Sequence, residues 1–206
     1  MKSDFTDIFS KLYFNREKVF NNINIESIIV YNFIKDAFKN SNISENHVFR
    51  FMFSSFYGLN AAKISQDFKE NYFRTMEKYR DYQQVPCLED IIESFDKSES
   101  FQFSFITKLM HTLDNNKPIY DSRVAKVFSF KPPYQERDWN KKAHIYNKFY
   151  NDLNDFYSFF FDRDTSYGLL NEFDDKYEKF GKISNAKKLD FLLWTAGKIV
   201  NTVHVA

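Results

Sequence analysis

Phe101-Gln-Phe-Ser-Phe-Ile-Thr-Lys-Leu-Met-His-Thr-Leu113, followed by Asp114-Asn-Asn-Lys-Pro-Ile-Tyr-Asp-Ser-Arg-Val-Ala-Lys-Val-Phe128, reads as a helix, a proline-containing loop and a second helix. Apolar residues recur at helical spacing on both sides of Asn115-Asn116-Lys117-Pro118, and Pro118 cannot continue a helix. The loop delivers Asp121 to the start of the second helix. There its carboxylate accepts bonds from free backbone N–H groups, and the helix dipole favours the negative charge.

The same grammar runs outward through the chain. Phe5, Ile8, Phe9, Leu12 and Tyr13 share one face of a helix predicted to end near Asn21-Asn22, and Ile25, Ile28, Ile29 and Phe33 begin a second, which stops around Asn40. Further helices are predicted from Val48 to a Gly58 stop, from Ser65 through Tyr79, and around Leu88 to Phe95. The longest runs from Glu136 to about Phe161. A shorter one through Leu169 and Tyr177 ends at Gly181, and a final one is capped by Ser184. With 4 Gly, 4 Pro and no sustained alternation of period two, the sequence predicts an all-α domain over residues 1–206, nine or ten helices in two packed lobes.

Composition narrows the function classes. Lys+Arg number 29 against 28 Asp+Glu, so no global positive field draws the chain to nucleic acid, and any DNA contact must come from a local cluster. A single cysteine, Cys87, excludes an intramolecular disulfide and reads as a small packed hydrophobe in a reducing compartment. The four histidines, His47, His111, His144 and His204, lack paired ligand spacing, so neither a metal nor any other cofactor is expected. No apolar run approaches the roughly 20 residues of a membrane span, and a cytoplasmic location is expected. The 26 Phe and 13 Tyr sit mostly at core spacing.

Within the hairpin, Thr107, Lys108 and His111 share a helix face, and the loop can bring that face near Asp121. A lysine beside a carboxylate and enclosed by Phe103, Phe105 and Tyr120 has what an amine nucleophile needs, because desolvation frees its lone pair. The same residues read equally as an ordinary N-cap and a salt bridge holding the hairpin together.

Phe103 to His111, Pro118 to Val124 and the later Leu189-Asp-Phe-Leu-Leu-Trp-Thr-Ala-Gly-Lys198 together resemble bacterial proteins with an 8-oxoguanine DNA glycosylase-like fold, distant relatives of the helix-hairpin-helix DNA glycosylases. Pro118-Ile119-Tyr120-Asp121 is similar to the string that supplies that superfamily's catalytic Asp, and Lys108 is similar in place to its nucleophilic Lys. The resemblance implies a two-lobed helical fold and removal of a damaged or modified base flipped from duplex DNA, with abasic-site lyase chemistry. It implies Lys108 and Asp121 as the catalytic pair and His111, Tyr120, Ser122 and Arg123 around the substrate. Where the superfamily hairpin is glycine-rich, Phe103 to Thr107 holds no glycine.

Lys126 and Lys131, with Arg123, Arg137, Lys141 and Lys142, form the best local basic cluster and are the expected DNA-backbone contacts; a solvated helix face explains them nearly as well. Trp194 is expected to close the core, with Asp190 paired to Lys187 or Lys188. The alternative to an enzyme is a helical module that binds DNA or a protein partner without chemistry.

Overall fold

The computed structural model describes residues 4–82, 85–97 and 100–199; His204 lies outside them. Among the described residues there are eleven α-helices, one 3-10 turn and no strand. The helices are α1 (Phe5–Phe14), α2 (Arg16–Phe20), α3 (Ile25–Asn40), α4 (His47–Tyr57), α5 (Gln66–Arg80), α6 (Leu88–Glu93), α7 (Phe103–Leu113), α8 (Ser122–Val127), α9 (Trp139–Phe161), α10 (Asp164–Tyr177) and α11 (Asn185–Ile199). None is long and apolar enough to cross a membrane.

Short polar side chains start most of these helices by accepting bonds from backbone N–H groups that have no partner within the helix. Asp4, Asn24, Asn46, Ser65, Asp121 and Asp138 do so for α1, α3, α4, α5, α8 and α9, and the Ser184 hydroxyl accepts from Lys187 N at 3.2 Å as α11 begins. Gly58 closes α4 at φ 82°, the left-handed conformation that costs glycine least. Two expectations fail here. The first helix breaks at Asn15, whose side-chain amide donates to Lys11 O at 2.7 Å and competes with the helical ladder. Cys87 is exposed instead of packed: its thiol sits at the start of α6, and Cys87 N in turn donates to the Asp90 carboxylate at 3.2 Å.

The apolar faces meet in one continuous core that takes residues from all eleven α-helices. Aromatic rings knit the hairpin to α9: Tyr120 meets Phe103, Tyr146 and Phe149 edge-on at 5.2 to 5.8 Å, and Phe130 stacks on Phe149 at 4.0 Å. On its other side α8 packs against α11 almost backbone to backbone. A β-carbon placed on Gly197 would stand 2.2 Å from the Arg123 carbonyl oxygen, so only glycine permits this approach. The hairpin is thereby held between the longest helix and the last one.

Candidate active site

The loop from Asp114 to Asp121 contains no glycine, yet its backbone is pinned along its length. Four successive side chains catch its carbonyls: Ser184 Oγ donates to Asn115 O at 2.8 Å, His111 Nδ1 to Lys117 O at 2.7 Å, Tyr150 OH to Pro118 O at 3.2 Å, and Thr107 Oγ1 lies 3.4 Å from Tyr120 O. Tyr120 N donates to Thr107 Oγ1 at 3.0 Å. Thr107 and His111 come from α7 and Tyr150 from α9, while Ser184 stands immediately before α11, so the loop inherits the rigidity of three helices. Asp121 is consequently presented at a fixed place.

His111 belongs to this seam. It is 1% exposed, and burial pushes its pKa down to about 3, with the nearby Lys187 charge adding to the effect. The neutral ring has one donor; because Lys117 O can only accept, the proton sits on Nδ1, and Nε2 accepts from Tyr31 OH at 3.0 Å. Both ring nitrogens are thus used. Tyr120 likewise faces the aromatic core. Neither residue lines the cavity that holds Lys108.

That cavity has a volume of about 390 Å³ and lies where α7, α8 and α11 meet the end of α4. Lys108, Asp121, Ser122, Arg123, Lys187 and Asp190 line it with aromatic walls that include Tyr57, Phe191 and Trp194. Lys108 Nζ donates to Tyr57 O at 3.0 Å and lies 4.0 Å from Asp121 Oδ2, while the other oxygen of that carboxylate accepts from Arg123 N at 2.9 Å. Phe105 and Tyr57 face the amine, with ring centroids at 5.0 and 5.7 Å. Of the three rings expected around it, Phe105 covers the amine, whereas Phe103 and Tyr120 pack on Tyr146. Burial lowers the Lys108 pKa below the usual lysine range; Asp121 and then Asp190 oppose this, and Lys187 adds to it.

The sequence reading passed over Lys187 as a site residue. It is 2% exposed, ion-paired to Asp190 Oδ2 at 2.6 Å and ringed by Tyr31, Phe191, Phe56 and Tyr57. Its neighbour Lys188 pairs with Asp174 instead, also at 2.6 Å. Nothing in a Lys-Lys pair signals burial; only the acid three residues later, Asp190, hinted at it.

Trp194, expected in the core, is 37% exposed at the cavity rim, because the Arg123 guanidinium occupies its face at 3.9 Å and holds it outward. The buried Nη1 of Arg123 makes no hydrogen bond. Lys126 on α8 and Lys131 beyond it are exposed and outside the cavity lining. Among the described residues no group of three His, Cys, Asp or Glu side chains converges as metal ligands would. A larger cleft of about 970 Å³ runs between the α5–α6 linker and α9, lined by Cys87, Asp90, Asn147, Asn151 and Asn154; the Asp90 carboxylate beside the Cys87 thiol raises its pKa and so disfavours the thiolate a nucleophile needs.

Chemically, the smaller cavity pairs a desolvated amine with a carboxylate inside aromatic walls, a set suited to attack on an electrophilic carbon and to stabilising the positive charge that follows. Comparison of the chain with protein-family models, with curated proteins and with solved structures finds no match.

Proposed function

We propose that this chain is a DNA glycosylase-like protein of the two-lobed helix-hairpin-helix type that removes a damaged or modified base and carries abasic-site lyase activity. One observation carries the proposal: Lys108 Nζ and the Asp121 carboxylate, 4.0 Å apart, line the same aromatic-walled cavity, and the amine is desolvated there. The Lys108 lone pair attacks the sugar C1′ of a flipped nucleotide. The bond from C1′ to the base breaks and the base leaves with the electron pair, taking up a proton; the attached nitrogen sheds a proton and its lone pair then breaks the C1′–O4′ bond, O4′ is protonated, and the opened sugar is held as a Schiff base. Asp121 offsets the positive charge that develops on the sugar.

Arg123 and Ser122 at the rim supply donors for the flanking phosphate, and the exposed Lys126 and Lys131 supply countercharge farther along the strand. His111 and Tyr120 have a supporting role, fixing the loop that carries Asp121.

The test is borohydride trapping on duplexes containing abasic or oxidised sites, since reduction of the Schiff base leaves a stable amine link. A covalent adduct lost in Lys108→Gln supports the proposal. No adduct and no base release across a broad panel of lesions would sink it. The second reading, a non-catalytic module that binds DNA or a protein partner, draws on the bond from Lys108 to Tyr57 O, where a lysine caps the end of α4. DNA binding that survives Lys108→Gln, without trapping in the parent protein, would favour that reading.

A further inference from the structure

Two buried lysines line one cavity, and they are partnered unequally. Lys187 Nζ touches a carboxylate oxygen at 2.6 Å, whereas the nearest carboxylate oxygen to Lys108 Nζ stands at 4.0 Å and its close partner is a neutral backbone carbonyl. Both ammonium positions lie over the same Tyr57 ring, each 5.7 Å from its centroid. Lys187 alone has three further rings around it, Tyr31 at 4.7 Å, Phe191 at 4.8 Å and Phe56 at 5.7 Å, faces that favour a cation. Around Lys108 stand Asp121 at the cap of α8 and Arg123 within it, Lys187 and Asp190 from α11, and the Tyr57 phenol ring from α4.

We propose that Lys187 is a positioning residue for Lys108: the resident cation of the cavity, fixed by Asp190 and its rings, whose charge opposes a second ammonium there and leaves the Lys108 amine free to react. The inference rests on the reading of Lys108 as the nucleophile. It assigns the two lysines separate tasks by their environments, as happens where neighbouring ionisable groups are driven apart. Lys187 itself makes no bond to substrate, and its effect passes through the field it sets at Lys108. Burial is the main cause of the lowered Lys108 pKa, Asp121 and then Asp190 oppose it, and the Lys187 charge adds to the lowering as the smallest of the four.

Competitive labelling with trace acetic anhydride, read at Lys108 by peptide mass spectrometry from neutral to alkaline pH, tests this without DNA. Only the unprotonated amine is acylated, with acetate as leaving group, so the midpoint of the labelling curve reports its protonation. Lys187→Met moves the midpoint up, because a repelling cation is gone, and labelling at neutral pH falls several-fold. Asp190→Asn moves it down, because an attracting carboxylate is gone, while Lys187→Arg leaves it in place. Opposite movements by two neighbouring variants are the expected result; structural damage alone would move both in one direction.

An unmoved midpoint in Lys187→Met, or movement of both variants in the same sense, overturns the inference. Should Lys187→Met not fold, Asp190→Asn against Lys187→Arg reads the same field, and an upward or absent shift in Asp190→Asn overturns it. Opposed midpoints without a borohydride adduct would uphold the field and dismiss the lyase reading. An adduct with unmoved midpoints would do the reverse.

Discussion

His111 and Lys108 lie three residues apart on α7, both buried, and the two regions they serve are built on opposite principles. In the seam around His111 every bonding position is taken: the ring has one donor and one acceptor, and each has a partner at 3.0 Å or closer. In the cavity around Lys108 the side-chain nitrogen has one strong partner and a carboxylate held just out of contact. The seam is saturated and rigid. The cavity is left with unused bonding capacity inside a low-dielectric wall, where an incoming group meets strong electrostatics. A completely satisfied buried network stabilises, and a partly satisfied one costs stability that only a ligand or a reaction can return.

The sharpest way to break this contrast is to exchange what each region loses. Lys108→Gln abolishes the borohydride adduct while changing unfolding free energy by about 1 kcal/mol or less, as chemical denaturation will show. His111→Ala does the converse. It leaves the Tyr31 hydroxyl and Lys117 O buried without their ring partner and opens a void, for a stability loss of about 4 kcal/mol. A seam variant that cost nothing would mean the loop is held elsewhere.

Acid titration sharpens the same point. The folded His111 binds a proton only near pH 3, while the unfolded side chain does so near its ordinary value of 6.5. Between those values the unfolded state holds more protons, so stability rises with pH through the window and is lost as the medium is acidified toward 3. The contribution is of the order of 5 kcal/mol. Urea unfolding of His111→Gln should lack that segment of the slope.

A smaller effect is expected at the contact between α8 and α11. Gly197→Ala forces a methyl against the Arg123 carbonyl, costs about 2 kcal/mol, and weakens trapping because the residues that follow Asp121 must shift. Unfolding curves together with adduct yield on one duplex separate the two consequences.

Much of the helical layout was legible before any coordinates. The periodicity of Phe103 to Leu113, the proline loop, the Asp121 cap and the Gly58 stop depend on neighbours within one or two turns, and local chemistry decides them. The pairing of Asp190 with Lys187 could be read as one of two options from helical spacing. What escaped is whatever depends on partners far along the chain. Lys187 looks solvated until Tyr31, Tyr57 and Phe191 surround it, and Trp194 looks like a core residue until Arg123, some seventy residues earlier, takes its face. The exposed Cys87 and the break at Asn15 were missed for a different reason: each rests on a side chain competing for a single backbone group, which no hydrophobic pattern records.

The glycine contact between α8 and α11 also sets a timetable. α11 supplies the wall with Lys187, Asp190 and Trp194, and it is the last described element to be synthesised. A nascent chain whose hairpin has formed before α11 docks carries Lys108 open to water, where an amine stays protonated and inert at neutral pH. Only when Gly197 settles against Arg123 does water leave the amine and the neighbouring cation arrive. Enclosure of the amine therefore waits for α11, and a chain lacking α11 has the hairpin without the closed cavity.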